Sequence, residues 1–194
     1  MDATLFWNAA TAVSTFLAAA VALGIAIAAQ RRAAATELAR ARLAAIGIEP
    51  KLRQIAKAIE NGQLKVTRAI EVGITYSERP ERKGTVDLDK GWSERVKMMD
   101  LLQTTLRHCV DAIDPVEIEK IASIPNHCAA NIMRSRVLLI EVGRSLDNAI
   151  YAGGPIPQIS QLNEINKTLV TINELVSSTA DVCKHEIGQL TKRR

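Results

Sequence analysis

The chain has 194 residues, only two each of Trp, Tyr and Phe, and 25 basic residues against 21 acidic ones, a formal net charge of +4. So few rings exclude the stacking platforms that hold single-stranded nucleic acid, and a charge this small calls for no polyanion, so no nucleic-acid partner is expected. Three cysteines, an odd number without framework spacing, fit reduced thiols and exclude a disulfide-stapled secreted fold.

No charged residue occurs between Asp2 and Arg31. As a helix, Leu5 to Ile27 is roughly 34 Å long, enough for a hydrocarbon core of about 30 Å. Leu, Ile, Val and Phe favour insertion there, alanine is close to neutral, and Asn8 falls near the end, within reach of head groups. Phe6 and Trp7 stand at one boundary, where amphipathic rings anchor, and Arg31 and Arg32 stand at the other. A secretory signal instead wants a basic amino-terminal region and a short apolar core. The segment therefore predicts a single transmembrane helix with the lipid bilayer as partner.

Arg31, Arg32, Arg40, Arg42, Lys51, Arg53 and Lys57 follow the span, against Glu37, Glu49 and Glu60. Flanking cations are retained on the cytoplasmic side, so the amino terminus is expected outside and the rest in the cytosol. The alanine-rich span points to a bacterial inner membrane. Ala20, Gly24 and Ala28 lie four apart on one face, as do Ala18, Ala22 and Ala26. Small residues let helix backbones approach closely, which makes the Ala20–Gly24–Ala28 row a helix-association face for a homo-oligomer; the plainer reading is that alanine-rich composition alone produces such rows.

Beyond the span, apolar residues recur at helical spacing in every long segment. The first helix is expected to continue to Gly47 and Pro50, which punctuate it, and a second to start near Pro50 with Leu52, Ile55, Ile59, Val66, Ile70 and Ile74 as its stripe. Residues 77–91, "SERPERKGTVDLDKG", read as a charged loop. Next comes a helix from about Trp92 to Ile113, with Trp92, Val96, Met99, Leu102, Leu106, Cys109 and Ile113 on its buried side. Asp114 as cap and Pro115 at the first helical position announce a short helix. A further helix spans about Asn126 to Tyr151, and the last runs from about Ser160. Its stripe of Leu162, Ile165, Leu169, Ile172, Val176, Thr179, Cys183 and Leu190 is the seam of a coiled coil or antiparallel bundle. The expected fold is all-α: a transmembrane anchor (1–31), a juxtamembrane helical hairpin segment (32–76), the loop (77–91) and a bundle of about four to five helices (92–194, with 50–76 packed on it).

The histidines and cysteines fall into three pairs, His108–Cys109, His127–Cys128 and Cys183 with His185. Thiolate and imidazole are natural zinc ligands, and facing bundle helices do build metal sites. Neighbours on a helix point about 100° apart, however, so one pair hardly aims both groups at one ion. Packing cysteines beside incidental histidines are the expectation, and a metal or haem module is the alternative. "DLDKG" opens like a calcium loop from Asp87, but its twelfth position is Met98 where a bidentate Glu is needed. "YAGGPIP" lacks the Lys-Ser/Thr of a phosphate-binding loop. Glu117, Glu119, Glu141 and Asp147 read as solvated helix faces. No catalytic motif and no cofactor are indicated. The expected role is protein–protein interaction at the cytoplasmic membrane face, as a scaffold, assembly factor or regulatory subunit with an unidentified protein partner; a membrane-perturbing effector is a further alternative.

Overall fold

The computed structural model describes residues 3–77, 85–151 and 159–192. Among these the protein is all-α, with five helices: α1 (Ala3–Ser77), α2 (Thr85–Ala112), α3 (Pro115–Glu119), α4 (Cys128–Tyr151) and α5 (Ile159–Thr191). The chain divides into two compact units, Met1–Arg40 and Ala41–Arg194.

The first unit is helical from Ala3 onward and has no apolar core among its described residues. Thr11 and Thr15 turn their hydroxyls inward, donating to the carbonyls of Trp7 and Thr11 at 2.8 Å, while Ser14 donates to Thr11 at 2.9 Å. This back-bonding hides the polar hydroxyls against the helix itself.

In the second unit the later part of α1 joins α2, α4 and α5 in a four-helix bundle that runs up, down, up and down. Gly62 of α1 faces Leu102 of α2. Gln103 and Arg107 of α2 reach Asp147 of α4, and α4 packs on α5. Arg42 and Arg53 of α1 meet Glu186 and Asp181 of α5, closing the ring. Each helix contributes one apolar stripe to the centre. Leu52, Ile55, Ile59 and Val66 come from α1, and Met99, Leu102, Leu106 and Cys109 from α2. Ile132, Leu139, Val142 and Leu146 come from α4, and the α5 stripe is buried from Leu162 through Cys183. Val96, Ile70 and Leu190 are half-buried, and the side chains of Ile74 and Trp92 lie outside the described residues. The core is aliphatic: no aromatic side chain is buried among the described residues.

Two expectations about helix boundaries are corrected. Gly47 and Pro50 do not end the first helix, because α1 continues through Pro50 to Ser77. Proline costs a helix the bond to the carbonyl four residues back, here Ile46. Both Ile46 and Pro50 are exposed, so water reaches that carbonyl, while buried Ala45, Ile48 and Leu52 hold the turns on either side. The charged loop is also shorter than expected. Thr85–Gly91 form the first turns of α2, and residues 78–84 lie outside the described residues.

The short helix starts where the sequence placed it. Asp114 is the N-cap, its Oδ1 accepting the Val116 amide at 2.9 Å, and Pro115 follows. After α3 the amides of Ile121 and Ile124 donate to carbonyls three residues back at 3.0 Å. Three residues per turn stacks side chains in register, so Ile118, Ile121 and Ile124 are all buried. We expect Asp114→Ala to cost about 1 kcal/mol through the lost cap, measured by denaturant unfolding. An unchanged midpoint would show that the isoleucines alone fix this segment.

Candidate functional site

Three features of the described residues bear on function. The first is the amino-terminal unit. Val13, Phe16, Leu17, Val21, Leu23, Ile25 and Ile27 are 42–74% exposed, and Trp7, Arg31 and Arg32 are exposed as well. One helix here is long and apolar enough to cross a membrane, and none of its most apolar window is buried. Ala20, Gly24 and Ala28 are all exposed, and a Cβ built on Gly24 meets nothing within 4 Å.

The second is a set of polar contacts that fix the bundle. Arg42 donates to Glu186 Oε2 from Nη2 at 2.7 Å and from Nε at 2.8 Å, with side chains only 12% and 10% exposed. Arg53 links Glu49, one turn back on α1, to Asp181 at 3.0 Å, and both carboxylates hold its guanidinium above its ordinary pKa, Glu49 foremost. Lys51 donates to Glu117 at 2.6 Å. Two carboxylates that read as solvated faces thus have tertiary partners, since the buried Gln103 amide donates to Asp147. Glu119 and Glu141 are exposed. Three of the seven cations that follow the apolar stretch, Arg42, Lys51 and Arg53, are paired with carboxylates of other helices of the bundle. Glu186, which the sequence did not single out, was detectable only as a charge one helical turn beyond Cys183 on the buried stripe. Between α1 and α2 lies an open cleft of about 760 Å³, with Ile55, Ala58 and Cys109 on its floor and Asp111, Asp114 and Glu117 among its walls.

The third is the histidine and cysteine set. The three pairs do not gather at one point, and among the described residues no three His, Cys, Asp or Glu side chains gather as metal ligands would. His108, His127 and His185 are exposed. His108 bonds the Thr104 carbonyl at 2.7 Å, and His185 Nδ1 lies 3.8 Å from Glu186. The cysteines are all buried and free. Cys109 stands alone, and burial pushes its pKa up to about 11. Cys128 of α4 and Cys183 of α5 bear on one another's ionisation: the neighbouring thiol holds Cys128 below the ordinary thiol value against the opposing effect of burial, and it drives Cys183 well above that value, with burial adding to the rise. Cys128 Sγ also donates to the Pro125 carbonyl at 3.2 Å.

No family model, no curated protein and no solved structure matches the chain.

Proposed function

We propose that the protein is a single-pass membrane-anchored helical bundle that acts through protein–protein contact at the cytoplasmic face, as a scaffold, assembly factor or regulatory subunit. One observation carries this reading: seven large apolar side chains from Val13 to Ile27 are exposed along an uncharged helix. Burying one such side chain is worth about 1.5–3 kcal/mol, so hydrocarbon around all of them contributes on the order of 10 kcal/mol. Water offers nothing comparable, and a contiguous apolar surface of this kind marks a membrane or partner contact. Arg31, Arg32 and Arg40 favour an outside amino terminus. Asp111 and Asp114, beside the apolar floor of the α1–α2 cleft, suit a partner segment bearing Lys or Arg next to apolar residues.

Membrane pellets washed with alkaline carbonate should retain the full-length chain, and an impermeant maleimide should label Asp2→Cys from outside. Recovery of the unprocessed chain in a surfactant-free high-speed supernatant would overturn the anchor. Cross-linking in native membranes then tests for partners.

Self-association through Ala20, Gly24 and Ala28 belongs to this reading. A lone helix has room for a larger side chain at Gly24, so a loss of association in Gly24→Leu reports contact with a second chain. The expected result is a loss of about 1 kcal/mol of association, close to a fivefold fall in the dimer constant. Equal cross-linking of variant and parent would remove this face from the account.

A further inference from the structure

The charge of the α1–α2 cleft runs against that of the chain. Three carboxylates and one lysine line it, a net charge of −2 in a protein whose formal net charge is +4. Lys51 is already spent on Glu117, at 2.6 Å, which leaves Asp111 and Asp114. Asp114 gives only Oδ1 to the Val116 amide, and Asp111 is exposed in the last turn of α2. That turn holds no basic residue, so the carbonyl end of α2 adds partial negative charge. His108 donates from Nδ1 to the Thr104 carbonyl at 2.7 Å, which leaves Nε2 of the neutral ring as an acceptor. The floor is different. Ile55, Ala58 and Cys109 are apolar, and the Thr104 and Thr105 hydroxyls are satisfied by the carbonyls of Asp100 and Leu101 at 3.0 and 2.8 Å. Leu101, one turn before Thr105 on the same face of α2, is 56% exposed and extends the apolar surface.

Resting on the protein-contact reading above, we propose that this cleft receives an amphipathic helix of a partner protein, with an arginine of that helix on Asp111 and Asp114 and its apolar face on Ile55, Ala58 and Leu101. A groove between two helices accepts the apolar face of a third. Arginine suits the acidic end better than lysine, because one guanidinium carries five donors in a planar fork and can bond two carboxylates, whereas an ammonium acts as a point charge. Leu101 and Asp111 lie roughly 15 Å apart along α2. The arginine therefore stands about ten residues from the apolar group that covers Leu101.

The test uses the full-length chain in native membranes, with the photo-cross-linker p-benzoylphenylalanine in place of Thr104, which is exposed in the cleft. Irradiation and mass spectrometry of the linked peptides should join this position to a segment of another protein. That segment should carry an arginine and, about ten residues away, apolar residues at helical spacing. Asp111→Lys should cut the yield about tenfold, and glutamate in place of the partner's arginine should restore it. A cation at the carboxyl end of α2 complements the helix dipole, so Asp111→Lys keeps the fold, which far-UV circular dichroism checks. No link from Thr104, a linked segment without arginine, a second copy of this chain, or a yield indifferent to Asp111→Lys would each overturn the proposal. A partner caught by lysine cross-linking in the same membranes but not from Thr104 rejects the cleft alone; none by either route removes protein contact with it.

Discussion

Glu186→Leu is expected to destabilise the bundle by about 3–5 kcal/mol, because it strands a charged guanidinium where water scarcely reaches. Arg42 and Glu186 are bonded twice, at 2.7 and 2.8 Å, with about a tenth of each side chain exposed. Removing the carboxylate leaves the desolvation of Arg42 uncompensated, whereas removing both charges relieves it. Arg42→Met combined with Glu186→Leu should therefore recover much of the loss. Arg53→Met supplies the contrast: its partner Asp181 is 71% exposed and Arg53 itself 46%, so solvent screens the pair and little stability is at stake. Denaturant unfolding of the full chain in mild detergent, followed by far-UV circular dichroism, measures all of these. A Glu186→Leu variant no weaker than Arg53→Met would refute the buried-pair argument.

Gly62→Leu should cost about 3 kcal/mol. Gly62 is buried where α1 approaches α2, and a Cβ there lies 2.9 Å from Leu102 Cδ1. Leu102 is itself fully buried, so its methyl has little room to retreat. Alanine at Gly62 gains up to about 1 kcal/mol of helix propensity against this crowding, and the two effects nearly cancel. Leucine adds three more carbons in the same direction and forces the helices apart. Gly47 separates propensity from crowding: it is exposed, with nothing within 4 Å of its Cβ, so Gly47→Ala should stabilise by up to about 1 kcal/mol. Equal midpoints for Gly62→Ala and Gly62→Leu would show that the α1–α2 contact is looser than its geometry implies.

The stripes were legible residue by residue from Met99 to Cys109 on α2 and from Leu162 to Cys183 on α5, since apolar residues recurring about every 3.6 positions mark a helix packed on one face. Asp114 and Pro115 announced α3 because cap and ring chemistry act locally. Pro50 misled for the same reason. Its local cost is real, but packing of Ala45, Ile48 and Leu52 outweighs it, and packing is decided by helices distant in sequence. A tally of the charges that follow the apolar stretch cannot tell Arg31, which is exposed, from Arg42, which Glu186 of α5 neutralises. The mutual influence of Cys128 and Cys183 was half legible. Cys183 lay on the α5 stripe, and Cys128 begins the buried series continued by Ile132, Ser135 and Leu139. That influence needed the register of α4 against α5, which no local pattern carries.

Among the described residues the interior is built from Leu, Ile, Val, Met, Ala and Cys, with no aromatic side chain to report on its packing. Trp7 is exposed near the amino terminus, so its emission follows that end of the chain and not the bundle. Cooperative melting is better followed through sulfur: α2, α4 and α5 each enclose one cysteine, and the rate at which each becomes alkylated reads out the unpacking of its own helix.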